Sequence, residues 1–298
     1  MLFAFRQLAK AYRNIPIFFR MPQVRWRVFP FLFSYTRRYL SEVTRYQMQL
    51  WSGPEPQPMG DLRLTVVLIS YRRIANMDTL TKGFLRLPFV DRIIVSNNHP
   101  KYRIREWIRS DDPRLILMDQ PKKTGPGIRF DLARDFPADY YLTVDDDIFL
   151  TPQQIRRLFE HLVDQPETPH GIFGQQYVGR GEVPPQLWGW KCSVTRIDTE
   201  VDVLNRVYAF TREHLNEYFR HIAELGLGKG SEIFNGEDVI LSASGKGRPR
   251  IHDLGPWLDC ILEGDPGIAL HQTTPSFMVE REALHLELQR INGARQLS

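Results

Sequence analysis

Residues 140–152 read YYLTVDDDIFLTP, with Asp145, Asp146 and Asp147 between apolar Tyr141, Leu142 and Val144 on one side and Ile148, Phe149 and Leu150 on the other. Charge runs usually sit in water, and a solvated acidic turn is the plain reading of three adjacent aspartates. Here the flanks are strand-forming and apolar, so the carboxylates stand at a strand end inside a hydrophobic frame. Crowded carboxylates raise one another's pKa unless a cation compensates, and hard divalent ions such as Mn2+ or Mg2+ prefer clusters of oxygen donors. The pattern is that of a metal site that would meet a phosphate.

The elements that must hold this cluster follow an alternating order. LTVVLI (64–69) is a continuous apolar run ending in Ser70-Tyr71-Arg72-Arg73, and a helical stretch with Leu80, Phe84 and Leu85 follows it. RIIVSNN (92–98), RLILMDQ (114–120) and DYYLTVDDD (139–147) are three further strands. Strands alternating with helices imply a parallel sheet, and in open sheets ligands bind beyond the carboxyl ends of the strands, where the polar residues of this chain fall. After the acids, Thr151, Pro152 and Gln154 form a capping box that opens a helix with Ile155, Leu158, Phe159 and Leu162 on one face.

The chain of 298 residues is 42% hydrophobic, enough for a sizeable core. Cys192 and Cys260 make neither a disulfide framework nor a zinc pattern, which points to a reducing compartment. Residues 1–60 hold nine Lys/Arg against two Asp/Glu, so the net charge of +4 belongs to the N-terminus. Nucleic-acid binding is not expected, because the rest of the chain has neither a basic surplus nor a recognition motif. The expected organisation is a basic aromatic arm over 1–51, a proline-rich linker over 52–61 and one domain over 62–298. The arm interleaves Arg with rings such as Phe18, Phe19, Trp26, Phe29, Phe31 and Phe33, and its apolar runs are too short to span a bilayer. It suits either an anionic membrane surface or packing of its rings on the main domain; the expected location is cytoplasmic, peripheral at the inner face of the membrane. Trp188 and Trp190 in LWGWKC offer aromatic faces for stacking against a sugar, with core packing as the alternative.

From about Leu64 to about Gly247 the order of parts resembles the C-terminal catalytic domain of the exostosin family, a GT-A glycosyltransferase. The pieces are LTVVLISYRR, VDRIIVSNN, the basic stretch through Gly127, Ile128 and Arg129, LTVDDDIFLTP with its DXD motif, HGIFGQQYVGR, and FNGEDVILSASGKG. A DXD alone is a weak signal, and the combination carries the likeness.

The resemblance implies a GT-A fold, that is, a Rossmann-like mixed sheet flanked by helices. It further implies a metal-dependent transfer of a sugar from a nucleoside-diphosphate sugar, with a UDP-sugar favoured, to a glycan or lipid-linked acceptor with retention of configuration. Carried over residue by residue, Arg73 lies near the nucleotide, Asn97 or Asn98 contacts the base, and Arg129 stands beside the diphosphate. Asp147 is the direct ligand to Mn2+ or Mg2+, while Asp145, with Asp146 beside it, faces the ribose or the metal. His271 in GIALHQTTP corresponds to a late metal ligand. Glu237 and Asp238 match a second acidic pair, one of which orients or deprotonates the acceptor hydroxyl or stabilises an oxocarbenium-like centre. The plainer alternative is that both acids only favour a helix N-terminus. Rival readings are a non-catalytic sugar-nucleotide or glycan-binding protein and a phosphatase of the haloacid-dehalogenase type, whose DXD lies on the first strand and is followed by Thr or Val where this chain has Phe149.

Overall fold

The computed structural model describes residues 28–71, 73–177, 192–259 and 276–296, by backbone alone at 28–36 and 296. In chain order the elements are α1 (Val28–Ser52), β1 (Leu64–Ser70), α2 (Met77–Leu85), β2 (Val90–Asn97), β3 (Leu115–Asp119), α3 (Ile128–Asp135), β4 (Tyr140–Val144), β5 (Ile148–Phe149) and α4 (Pro152–Asp164). There follow β6 (His170–Gly171), β7 (Phe173–Gln175), β8 (Ser193–Thr195), β9 (Thr199–Glu200), β10 (Val203–Leu204), β11 (Val207–Thr211), α5 (Arg212–Glu224), α6 (Glu237–Ser242), β12 (Arg250–Ile251), β13 (Leu258–Asp259) and α7 (Phe277–Gln296).

The main sheet has the order β3-β2-β1-β4-β11-β6-β12-β9. Its first four strands are parallel, as the alternating pattern requires. Beyond β4 the all-parallel expectation fails and the mixed sheet holds: β11 runs antiparallel to β4 and to β6. In the same half β12 pairs parallel with β6 and antiparallel with β9, so both directions occur there. The fold is thus of the expected α/β class, a mixed sheet flanked by helices.

The continuous apolar run of β1 is explained by burial on both faces. Val66 and Leu68 point into one core with Leu80 and Phe84 of α2 and Ile155, Leu158, Phe159 and Leu162 of α4. Val67 and Ile69 point into the other, against α3, α5, α6 and Leu288 of α7. The capping box of α4 forms as read: Gln154 N–H donates to Thr151 Oγ1 at 3.3 Å and Thr151 N–H to Gln154 Oε1 at 3.0 Å.

The described part of the N-terminal arm is built into the domain. Tyr39, Val43, Tyr46 and Leu50, spaced along one face of α1, are buried in the core that contains α2 and α4. Tyr46 stacks on Phe149 at 5.1 Å and its hydroxyl donates to the Leu150 carbonyl at 2.8 Å. Tyr39 donates to Asn76 Oδ1 at 2.9 Å, and Asn76 Nδ2 donates to the Asp146 carbonyl at 2.7 Å. For this stretch the packing alternative is the observed one, because the buried face is continuous with the main core; residues 1–27, with Phe18, Phe19 and Trp26, lie outside the described residues. The helix continues through Ser52, one residue beyond the arm's expected end at 51, and 54–59 have no regular structure. Among the described residues no helix is long and apolar enough to cross a membrane.

Candidate active site

The acidic turn leaves the carboxyl end of β4, and β11 determines what it meets. Their register sets Val207 opposite Val144, and the Asp145 N–H donates to the Arg206 carbonyl at 2.8 Å. Arg206 stands in the left-handed region, at a φ of 66°. That conformation costs a residue with a side chain about 1–3 kcal/mol and concentrates at functional sites.

Each carboxylate has its own partners. Asp145 accepts from Arg129 Nη1 at 2.9 Å and keeps 29% side-chain exposure. Asp146 turns inward, accepting from Ser70 Oγ and Arg73 Nη1, both at 2.9 Å. Asp147 pairs with Arg73 Nη1 at 3.0 Å and Arg206 Nη2 at 3.2 Å, and Arg206 also reaches Asp259 at 2.9 Å. Burial pushes the Asp145 and Asp146 carboxyls above the usual range against the pull of Arg129 and Arg73 respectively, and the Asp147 charge adds to the rise. Of the three carboxylates Asp145 is the most open, whereas Asp146 and Asp147 are both buried and held by arginines.

The second acidic pair opens α6. Gly236 precedes it with a φ of 91°, and a Cβ there would lie 2.5 Å from Leu284 of α7, so both backbone and space require the glycine of NGED. The loop that carries Arg129 packs against the approach to this pair: a Cβ on Gly125 would lie 2.0 Å from the Ile233 carbonyl and one on Gly127 2.4 Å from that of Gly230. Arg129 is buried between the two acidic groups; burial opposes its charge, Asp145 and Glu237 support it, and the guanidinium is held above its usual pKa.

Glu237 and Asp238 are adjacent and have different surroundings. Asp238 Oδ1 and Oδ2 accept from Arg281 of α7 at 2.6 and 2.8 Å, and Asn205 Nδ2 and the Val239 N–H donate to the same carboxylate, each at 2.9 Å. Glu237 makes no ion pair among the described residues. Burial and the Asp238 charge push its carboxyl up to about 7, against Arg129 and Arg281.

At the ends of β1 and β2 the two asparagines bond within the chain. Asn97 Nδ2 donates to His99 O, Tyr102 O and Asp119 Oδ1 at 3.2, 2.7 and 2.7 Å, so its amide organises the turn after β2. Asn98 Oδ1 accepts from Ser96 Oγ at 2.9 Å. Beside them Tyr71 and His99 lie 5.2 Å apart by ring centroid, and Lys123 Nζ stands 5.0 Å from the Tyr71 ring and 5.7 Å from that of Phe234.

The fold thus gathers Arg73, Arg129, Asp145, Asp146, Asp147 and Glu237 along one edge, with Asp238 beside them. His271, Trp188 and Trp190 lie outside the described residues. Sequence reasoning missed Arg206, Asp259 and Arg281. Arg281 looks like any charged residue of an amphipathic helix, and nothing local marks Arg206, whose place depends on strand register.

No protein-family model matches the sequence, and no curated protein matches it. Among solved structures the chain is similar to a mannosyltransferase from Pyrobaculum calidifontis in complex with GDP-Man and Mn2+, at 13% identity and a TM-score of 0.46, covering 88% of this chain and 74% of that one. It is also similar to S. aureus TarS 1-349 in complex with UDP (12% identity, TM-score 0.43, 66% of this chain and 59% of that one). A third likeness is to GalNAc-T7 with UDP, GalNAc and Mn2+ (11% identity, TM-score 0.46, 66% and 43%). The chain spans less than two thirds of the latter two structures. With every one of these TM-scores below 0.5, the chemistry of the site rests on this chain's own residues.

Proposed function

We propose that this protein is a glycosyltransferase that uses a divalent metal and moves a sugar from a nucleoside-diphosphate sugar, a UDP-sugar foremost, to a glycan or lipid-linked acceptor. One observation carries the reading: Arg129 is buried between the carboxylate of Asp145 and the poised, unpaired carboxylate of Glu237, so a phosphate-facing site and a hydroxyl-facing group share one edge of the sheet. The order of motifs, similar to the exostosin catalytic domain, supports the same reading and a retaining outcome.

In this proposal Asp145 and Asp147 hold Mn2+ or Mg2+. Such an ion would supply positive charge against the departing diphosphate. Arg73 and Arg206, which balance Asp146 and Asp147 in the structure, turn their charge to the phosphates as donor and cation arrive together. Tyr71 and His99 offer ring faces to the base, and Lys123 adds charge at the same mouth. Glu237 faces the reacting centre, and Asp238 holds α7 against α6.

Asp147→Asn is expected to abolish the Mn2+-dependent stabilisation that a UDP-sugar confers, while leaving the fold intact. Arg73 keeps Asp146 and Arg206 keeps Asp259, so no arginine is stranded. In wild type a donor at a hundred times its Kd should add about 2.7 kcal/mol, read by thermal shift. Wild-type donor affinity in the variant, or no shift of wild type with any nucleoside-diphosphate sugar, would sink the reading. Donor hydrolysis with Mn2+ separates a transferase from a binding protein, and release of phosphate from simple monoesters would point to the phosphatase.

The outward face of α1 carries exposed Arg37 and Arg45 with Met48 at 64% and Trp51 at 87% exposure. It is proposed to rest on an anionic membrane beside a lipid-linked acceptor. The full chain is expected to co-sediment with anionic vesicles at low salt and not with neutral ones, and R37E with R45E to weaken this without loss of Tm. Equal binding to both vesicle types, or none, rejects the placement.

A further inference from the structure

The edge of the main sheet formed by β6, β12 and β9 carries a cluster that the proposed transfer does not use. His161 lies in the last turn of α4, His170 opens β6, Asp198 precedes β9 and His252 follows β12. One ring nitrogen of His161, one of His252 and a carboxylate oxygen of Asp198 lie within 4.8 Å of one another. The rings of His161 and His252 stack at 3.7 Å between centroids, with planes 4° apart. His170 and His252 are buried, whereas the Asp198 side chain is 68% exposed.

Hydrogen bonds join three of these groups and Gln165 in a line: Gln165 O to His170 Nε2 at 2.8 Å, His170 Nδ1 to His252 Nε2 at 2.8 Å, and His252 Nδ1 to Asp198 Oδ1 at 3.1 Å. His252 thus has its Nε2 against His170 and its Nδ1 against the Asp198 carboxylate, and His161 brings a second ring nitrogen to the same place, so two imidazole nitrogens and one carboxylate oxygen converge at the sheet edge.

We propose that His161, Asp198 and His252 Nδ1 bind a divalent ion of the zinc class. Two imidazoles and a carboxylate suit Zn2+, in contrast to the all-oxygen set at Asp145 and Asp147. Zn–N and Zn–O bonds of about 2.0–2.2 Å at a tetrahedral angle separate two ligand atoms by about 3.3 Å, close to the observed His252–Asp198 contact. His161 completes the set by side-chain rotation at the end of its helix. The supporting shell is already built, since His252 Nε2 lies 2.8 Å from His170 Nδ1 and His170 Nε2 lies 2.8 Å from Gln165 O. The ion would clip the far end of α4 to the segment leaving β12. The near end of α4 holds the same segment through Gln154, which donates to Leu254 O and Pro256 O at 3.1 and 3.0 Å. That segment ends at Asp259, the partner of Arg206, so the clip would be a structural brace behind the acidic turn.

The test titrates the full chain, cleared of metal, with Zn2+ alone against a chromophoric chelator at neutral pH. Wild type is expected to take up one Zn2+, and D198N and H161N each to weaken that uptake by at least about tenfold. Exposed Asp198 can be changed without opening the core, so this comparison does not depend on a variant that fails to fold. D147N should bind Zn2+ like wild type, and D198N should keep the Mn2+-dependent donor shift, which separates failure of this site from failure of the proposed function. Uptake equal in wild type, D198N and H161N, uptake lost only in D147N, or no uptake by wild type in excess Zn2+ overturns the site.

Discussion

Glu237→Gln should lower turnover at least about a hundredfold with donor affinity nearly unchanged, the signature of losing an interaction made at the transition state. The case rests on the contrast between neighbours: Asp238 has both oxygens committed, while buried Glu237 has no ion-pair partner among the described residues. The same burial supplies a second readout. With a carboxyl raised from 4.5 to about 7 in the folded chain, the folded state holds its proton more tightly than the unfolded one. The stability this group contributes is therefore fully present below pH 4.5 and is lost as pH rises through about 7. At about 1.4 kcal/mol per pKa unit the loss totals about 3 kcal/mol. Glutamine cannot ionise, so the E237Q curve of Tm against pH should flatten across that window. Activity should run the opposite way in wild type, rising through pH 7 as the carboxylate forms. Turnover of E237Q within tenfold of wild type would leave Glu237 as a helix-terminus residue only.

Asp238→Ala should destabilise the chain by about 3–5 kcal/mol, the cost of breaking a buried ion pair from one side. The guanidinium of Arg281 is 4% exposed and the carboxylate of Asp238 7%, and Arg281 bonds it through both terminal nitrogens. Burial opposes the Arg281 charge, and Asp238 outweighs it. Removing the carboxylate strands a buried cation and frees α7 from α6. For a chain of this size the Tm should fall by at least about 6 °C. Asp238→Leu combined with Arg281→Met should recover much of that loss, because an apolar pair replaces a matched one without leaving a charge behind. If D238A keeps the wild-type Tm and loses turnover instead, Asp238 belongs at the reacting centre and the division of labour within the pair is reversed.

Local chemistry made much of this protein legible in its sequence. The four parallel strands, the capping box at Thr151 and the acidic turn after β4 follow from apolar runs, cap residues and turn residues within a few positions of each other. Gly127 and the glycine of NGED could be read as motif letters, and the close contacts they make only as a fold. What the tertiary structure alone decided depends on pairings across long separations. The antiparallel register of β11 on β4 brings Arg206 to Asp147, 59 positions away. Packing of α7 on α6 brings Arg281 to Asp238, 43 positions away, and so gives two adjacent acids different surroundings. The face of α1 that carries Tyr39 and Tyr46 was an amphiphilic pattern open to a membrane or a core, and burial against α2 and Phe149 settled it for those residues. Periodicity states that a face is apolar, and only the folded chain states what covers it.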